Sequence, residues 1–197
     1  MQPGDDRRTL PELIQSERLL LRRWLISDAQ ALGRAVRESE AHLRPWMPFM
    51  ALEPQTHAQR RQMLAERERE FAQGGDVMIG VFLDGRVVGS CGLRHGRAHT
   101  LEIGYWIHPA FTRKGLASET ARLLTDAAFT VPDIAFVEIH HDQANLASRG
   151  VARSVGFQLA CELPRTTRAP AEVGIDCVWR IGRADWERQR GQAPSGT

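Results

Sequence analysis

Seven short segments of the chain have the apolar, β-branched pattern of β-strands and are bounded by turn residues. Between the second and third segments stands Asp84-Gly85, the two-residue signal of a β-hairpin. The pattern therefore predicts a protein in which strands outnumber helices. The predicted strands are 18–24, 77–83, 86–93, 100–107, 134–141, 157–163 and 173–181.

Apolar residues three and four positions apart predict four helices. Two of these helices open with the residue spacing of a capping box, at 27–30 and at 56–59. The third helix follows Gly115. The fourth covers 145–155, and Gly156 then supplies the residue type that commonly ends a helix.

The predicted order is one strand, two helices, three antiparallel strands, a helix, a strand, a helix and two strands. This order predicts an α+β fold with a mixed, mostly antiparallel sheet of about seven strands and helices on both faces. One parallel connection is expected, from 101–107 through the third helix to 134–141. We expect a single domain over 16–183, with a flexible arm at 1–15 and a C-terminal tail at 184–197.

The composition is that of an ordinary globular protein, with 197 residues, 42% hydrophobic residues and a net charge of +2. Because the chain has no long basic run, we expect no nucleic-acid partner. No stretch reaches the roughly 20 apolar residues of a membrane span, so no membrane partner is expected. The three cysteines show no C-x-x-C spacing, and an odd number of cysteines without secretory features predicts a reduced, cytoplasmic protein. The adjacent His140 and His141 point to opposite faces of a strand, and no metal site is expected.

The segment 101–129 joins a buried strand, a basic loop and a helix, and it is the strongest functional signal in the chain. The first N–H groups of a helix have no internal partner, and the helix dipole adds positive potential there. Gly115, at the helix start, lets a phosphate approach the backbone closely. We therefore expect this segment to hold the pyrophosphate of an acyl-coenzyme A. A nucleotide-binding P-loop is excluded, because Lys114-Gly115 does not fit GxxxxGK[ST], and GxGxxG is absent.

Four segments resemble, in order, the GNAT acyltransferase superfamily. They are SERLLLRRW at the first strand, LRPWMPF after the first helix, LEIGYWIHPAFTRKGLASETARLL in the centre and NLASRGVARSVGFQ near the end. The acyl-CoA loop of that family has the pattern Gln/Arg-x-x-Gly-x-Gly/Ala, which 112–117 matches except for Thr112 at the first position. The IGYWI strand and the segment from NLAS to GF resemble the Rim branch, which acetylates the N-termini of ribosomal proteins.

The resemblance implies a sheet that splays apart between its two central parallel strands, with the acyl group of acetyl-CoA lying in the opening. It also implies direct attack by a primary amine, of a protein N-terminus or a small molecule, in a ternary complex. By the same resemblance, the expected cofactor-binding residues are Trp106, Ile107, His108, Thr112, Arg113, Lys114, Gly115, Leu116, Ala117, Ser118 and Asn145.

Two residues are expected to carry out the proton transfers. Glu102 is our candidate general base, because a carboxylate in an otherwise apolar strand is suited to take a proton near neutral pH. The alternative is that Glu102 faces water or pairs with an arginine, and His140 and His141 are rival bases. Ser148 matches the serine that the Rim branch presents to the coenzyme sulfur, so the resemblance implies that it protonates the departing thiolate. The single tyrosine, Tyr105, precedes the phosphate loop and cannot take the place of the catalytic tyrosine found in other members.

The acceptor site is expected to include the segment 43–50, which two prolines hold out of a helix. This segment forms either a recognition surface or a cap on the core, and a homodimer could complete the site with a partner's loop. Two further alternatives stay open: another acyl donor such as succinyl-CoA, and a non-catalytic coenzyme A sensor. The expected acceptor-site residues are Trp24, His42, Trp46, Met47, Phe49 and His141.

Overall fold

The computed structural model describes residues 11–191 as one sheet with helices packed on both faces. The strands are β1 (Leu13–Gln15), β2 (Leu20–Arg23), β3 (Val77–Leu83), β4 (Arg86–His95), β5 (Thr100–Ile107), β6 (Phe136–Asp142), β7 (Gln158–Pro164) and β8 (Ile175–Gly182). The helices are α1 (Ala29–Glu38), α2 (Glu40–Leu43), α3 (His57–Ala72), α4 (Leu116–Ala128), α5 (Leu146–Val155) and α6 (Arg183–Gly191). Across the sheet the order is β1-β2-β3-β4-β5-β6-β8-β7, and β5–β6 is the parallel pair. The predicted α+β fold is confirmed.

All seven predicted strands are present, and three elements appear in addition to those predicted, β1, α2 and α6. The strand β1 pairs with β2 and falls within the arm expected at 1–15. The helix α6 covers all of the described part of the expected C-terminal tail, and its Trp186 is buried and donates its indole N–H to Asp126. Because a single buried residue gives no repeat of apolar positions, the hydrophobic pattern could not predict this helix. The rest of the arm and tail, 1–10 and 192–197, lies outside the described residues. No helix within 11–191 is long and apolar enough to cross a membrane.

Local signals predicted the β3–β4 turn and the start of α3 correctly. Asp84 and Gly85 both have positive φ, at 48° and 73°, as the type I′ hairpin turn requires. The capping box at α3 is formed, since the Gln59 N–H donates to Thr56 Oγ1 at 3.2 Å and the Thr56 N–H donates to Gln59 Oε1 at 2.8 Å.

The second predicted capping box, at 27–30, is wrong. A 3₁₀ turn, Ile26–Asp28, precedes α1, and the Asp28 side chain does not cap that helix. Its carboxylate instead accepts the Leu25 N–H at 2.8 Å and pairs with Arg22 at 2.6 Å. Arg22, which binds the Asp28 carboxylate, lies on β2, outside the four residues 27–30 on which the prediction was based.

The strand β5 supplies both hydrophobic cores, because successive side chains point to opposite faces. Leu101 and Ile103 pack into the core beneath α4 and α5. Trp106 packs into the second core, which α1 and α3 cover. Each face is therefore covered by helices, as predicted, and the strand is anchored from both sides.

The parallel pair β5–β6 opens into a cleft partway along its length. The two strands pair only from Thr100 opposite Phe136 to Ile103 opposite Ile139. Beyond that point β5 continues along β4 to Ile107, and β6 continues along β8 to Asp142. The predicted splay is confirmed, and it leaves 104–107 of β5 without ladder bonds to β6, so backbone groups on that edge are available to a ligand.

Candidate active site

The loop that connects β5 to α4 has the geometry of an anion site. Gly115 precedes the helix with φ of 77°, a left-handed conformation that glycine adopts without strain. A Cβ built on Gly115 would meet no atom closer than 4.0 Å, so the space in front of it is open. The free N–H groups at the start of α4 and the positive end of its dipole adjoin this space. The predicted oxyanion site therefore has both the backbone and the room that it needs.

Arg18 lies beside this loop and was missed by the sequence analysis. Its guanidinium donates to the Lys114 carbonyl at 3.3 Å, and it forms an ion pair with Glu119 in the first turn of α4. The Ser16 hydroxyl donates to the same carboxylate at 2.6 Å. Arg18 thus stands within reach of an anion at Gly115, although almost a hundred positions separate the two in the chain.

Several of the other predicted cofactor residues cannot present their side chains to a ligand. Trp106, Ile107 and Leu116 have buried side chains, so only their backbone can face a ligand. The Thr112 hydroxyl donates to the Pro109 carbonyl at 2.9 Å and holds the loop rather than facing outward. The backbone N–H of His108 is already used, because it donates to the Val88 carbonyl at 2.8 Å.

Three more predicted residues have side chains engaged with the protein. His108 accepts the Ala110 N–H at 3.2 Å and approaches Glu38 at 3.2 Å. The hydroxyl of Ser118 contacts that of Ser154 at 2.7 Å, which ties α4 to α5. Lys114 lies over the Phe111 ring, 5.2 Å from its centroid. Their side-chain polar groups and rings are therefore occupied by contacts within the protein.

The start of α5 presents a pair of hydroxyl groups near the cleft. Asn145 caps the helix as predicted, because its Oδ1 accepts the Ser148 N–H at 3.1 Å. The Ser148 hydroxyl is hydrogen-bonded to the Tyr105 hydroxyl, with 3.0 Å between the oxygens. Burial raises the pKa of Tyr105 to about 12, although the bond to Ser148 opposes the shift. Tyr105 is therefore a neutral phenol at physiological pH, and it reaches Ser148 from the unpaired part of β5.

The two adjacent histidines differ in protonation. Burial alone would lower the pKa of His140, but hydrogen bonds to Asp176 at 2.8 Å and Glu138 at 3.0 Å outweigh it and raise the pKa to about 9. His140 is thus an imidazolium at neutral pH and cannot serve as the base. Burial lowers the pKa of His141, whose Nδ1 lies 2.8 Å from the Asp142 carbonyl. Because a carbonyl only accepts, Nδ1 carries the proton, and the buried Nε2 has no partner within the described residues.

The expected apolar environment of Glu102 is wrong. Its side chain is 22% exposed and pairs with Arg94 on β4, which is the alternative considered from the sequence. It lies opposite Glu138 in the β5–β6 register and shares the Trp106 face of the sheet. Glu102 therefore stands at the last paired positions before the cleft, in a polar and partly hydrated setting.

Five of the six predicted acceptor residues lie around the core on the Trp106 face, whereas His141 stacks on Trp179 in the other core. Trp24 is buried, and its indole N–H donates to Ser90 at 3.0 Å, so it belongs to the core itself. Met47 and Phe49 pack against that core and are partly buried. Trp46 is half-buried, and His42 is exposed. The segment combines the two roles considered for it, with its inner residues in the core and its outer residues accessible.

Asp142, at the end of β6, holds the surroundings of the cleft together and was not predicted. Its carboxylate accepts the N–H groups of Ala144, Val173 and Gly174 at 2.9–3.0 Å and that of Ile175 at 3.3 Å. Burial would raise the pKa of Asp142, but these bonds lower it below its usual value. One carboxylate therefore joins the entry of α5 to the loop before β8.

Comparisons with known proteins agree with this geometry. The family model for the acetyltransferase (GNAT) domain matches residues 18–158. YdaF of Bacillus subtilis, provisionally described as a ribosomal N-acetyltransferase, is 26% identical over 144 residues, which are 72% of this chain and 79% of YdaF.

Solved structures share the fold. RimL, a ribosomal L7/L12 α-N-protein acetyltransferase solved with coenzyme A, has a TM-score of 0.79 at 21% identity, covering 87% of this chain and 98% of RimL. Mycobacterium smegmatis RimJ, solved with a coenzyme A disulfide, has a TM-score of 0.76 at 23% identity and covers 97% of each chain. The family model spans more than half of the chain and includes the cleft, the α4 loop and the start of α5. This protein therefore belongs to the GNAT acetyltransferase family.

Proposed function

We propose that this protein transfers the acetyl group of acetyl-CoA to the primary amine of a peptide N-terminus. The observation that carries the proposal is the opening of β5–β6 after Ile103 and Ile139, with the α4 anion loop and the Tyr105–Ser148 pair beside it. An opened parallel pair offers backbone groups to an extended ligand arm, and the helix start offers N–H groups to a diphosphate.

The diphosphate of the donor is bound at the start of α4. Gly115 keeps the approach open, and Arg113 and Lys114 add positive charge. The donor-binding residues proposed from the sequence remain the proposal here, with Arg18 as an addition. They are Arg18, Trp106, Ile107, His108, Thr112, Arg113, Lys114, Gly115, Leu116, Ala117, Ser118 and Asn145.

Ser148 protonates the leaving thiolate in the proposed reaction. The amine nitrogen bonds to the thioester carbon, the C–S bond breaks, and the sulfur takes a proton from Ser148 Oγ. The proton that the general base takes from the amine then returns to Ser148 through water, so that the serine hydroxyl is restored. Tyr105 positions this proton, because a mutual hydrogen bond between two hydroxyls leaves one hydrogen free for a third group. When Tyr105 donates to Ser148 Oγ, the serine hydrogen is free to reach the sulfur.

Two groups remain candidates for the base that takes the amine proton. Glu102 is partly exposed and would act directly or through water, although its pairing with Arg94 stabilises the carboxylate. His141 is neutral, and its Nε2 has no hydrogen-bond partner among residues 11–191. A Glu102→Gln variant and a His141→Gln variant separate them, since loss of the true base removes the acidic limb of the pH–rate profile.

The acceptor is proposed to be a peptide because the relatives named above are described as acting on ribosomal proteins. The peptide would lie on the Trp106 face, against the accessible edge formed by His42, Trp46, Met47 and Phe49, with Trp24 behind them and His141 at the cleft. A ribosomal-protein substrate supports the proposal that the protein is cytoplasmic.

The test is a thiol-release assay with acetyl-CoA and succinyl-CoA against a panel of peptides and small amines. We expect turnover with acetyl-CoA and at least one free peptide N-terminus, and loss of turnover in Ser148→Ala with donor binding retained. Normal coenzyme A binding with no turnover on any amine would instead support a sensor. Failure to bind coenzyme A at all would overturn the proposal.

A further inference from the structure

A cavity of about 270 Å³ lies between α1 and the start of α3, and it shares no lining residue with the α4 loop or the β5–β6 cleft. None of the residues assigned to acyl transfer lines it. Its lining combines the N-terminal turn of α3 with two arginines and no acidic residue. The lining residues are Ala29, Gln30, Gly33, Arg37, Gln55, Thr56, His57 and Arg60.

Arg60 is the first sign that the cavity takes a ligand. The residue is only 4% exposed, and one end of its guanidinium pairs with Glu53 at 2.6 Å. Its Nε–H is buried and has no acceptor within the described residues. Buried N–H groups are nearly always paired, and one that lines a cavity without a partner points to an acceptor supplied from outside.

Gly33 is the second sign. It lies in the interior of α1, where glycine is less favourable than alanine. A Cβ at this position would meet Arg37 Nη1 at 3.6 Å and Arg60 Nε at 4.0 Å, which are ordinary contacts. Alanine would therefore fit the fold, and what it would remove is the space between the two guanidinium groups.

The electrostatic balance of the cavity favours an anion. Glu53 compensates Arg60, whereas Arg37 forms no ion pair with any residue in the range 11–191. The sixteen-residue helix α3 directs the positive end of its dipole toward the same space. The Gln55 side-chain amide, which also has an unpaired buried atom, becomes a donor when its oxygen and nitrogen exchange places.

We propose that this cavity binds a small oxyanion, a phosphate or a carboxylate group. Arg60 and Arg37 hold it from one side, and the N–H groups at the start of α3 that Thr56 does not cap hold it from the other. The site is independent of acyl transfer, because it shares no residue with the cleft.

The test is calorimetric titration of phosphate and of acetate at constant ionic strength, with coenzyme A present so that the α4 loop is occupied. The variants are Gly33→Ala, which fills the space, and Arg37→Gln, which removes the uncompensated charge. The matched control is Arg34→Gln, an exposed arginine of α1 outside the lining. We expect each test variant to weaken binding of at least one anion about tenfold, equal to ~1.4 kcal/mol, and the control to leave it unchanged.

The folding of Gly33→Ala is checked by its melting temperature, which should equal or exceed that of the wild type. Binding of either anion that depends on Gly33 supports the proposal. It is overturned if neither anion binds in the millimolar range, or if both bind Gly33→Ala as tightly as the wild type. Should coenzyme A fail to bind, dependence on Gly33 still reports on this cavity alone.

Discussion

The hydrogen bond between Tyr105 and Ser148 makes the assignment of the proton donor testable. Changing Tyr105 to Phe removes one hydroxyl at 3.0 Å from Ser148 Oγ and keeps the ring that packs into the core. The serine hydroxyl is then free to rotate and is no longer directed toward the sulfur. A change in its orientation affects the step in which the thiolate forms and leaves donor binding intact.

The magnitude follows from the energy of one hydrogen bond. Such a bond contributes about 0.5–1.5 kcal/mol net. If all of it acts in the transition state, Tyr105→Phe lowers kcat about two- to tenfold, since 1.36 kcal/mol is a factor of ten. Ser148→Ala removes the donor itself and should lower kcat by about 10²-fold or more.

The assay is steady-state thiol release, with single variants and the double variant compared at saturating acceptor. Because Tyr105 acts through Ser148, Tyr105→Phe should have little further effect when Ser148 is already alanine. Equal effects of Tyr105→Phe in both backgrounds would refute the positioning role. A raised KM for acetyl-CoA with unchanged kcat would refute it as well, because that pattern indicates lost binding.

Three other predictions concern the loop, the imidazolium and the carboxylate at the end of β6. Gly115→Ala places a side chain at φ of 77°, so it should lower the free energy of unfolding by ~1–2 kcal/mol and raise the KM for acetyl-CoA. The control is Gly150→Ala, where a Cβ meets nothing within 4 Å, and it should have neither effect. The pKa of His140 is raised in the fold from 6.5 to about 9, so its stabilisation is complete below pH 6.5 and is lost as the pH rises through about 9. Urea unfolding at a series of pH values should show this loss as a fall in the free energy of unfolding of the wild type. A His140→Gln variant whose free energy of unfolding changes with pH in the same way would contradict the assignment. Asp142→Ala leaves four N–H groups without their acceptor and should lower the free energy of unfolding by about 3 kcal/mol or more. Asp142→Asn keeps one acceptor oxygen and should lower it less. Equal melting temperatures for the two variants would contradict this account.

The sequence predicted those features whose determinants lie close together in the chain. The Asp84-Gly85 turn and the Thr56 capping box depend on two to four neighbouring residues, and both are present. The parallel crossover followed from the order of the elements, which fixes its neighbours.

The features that were missed depend on residues far apart in the chain. Tyr105 meets Ser148 across 43 positions, because the crossover through α4 brings α5 beside β5. Arg18 reaches Lys114 across 96 positions and leaves no local signal. Glu102 was expected in an apolar setting, because its own strand shows only apolar neighbours, whereas its partner Arg94 comes from β4.

The network around Asp142 has a consequence for how the two substrates influence each other. The Asp142 carboxylate accepts hydrogen bonds both from the entry to the helix that carries Ser148 and from the turn leading into β8. The chain just before that turn also contacts the segment 43–50, since the Ala171 N–H donates to the Pro45 carbonyl at 3.0 Å. If the acceptor is a peptide bound to this outer segment, as proposed, these hydrogen bonds connect it to the helix that carries Ser148, and we expect acceptor binding and the orientation of the Ser148 hydroxyl to be thermodynamically coupled.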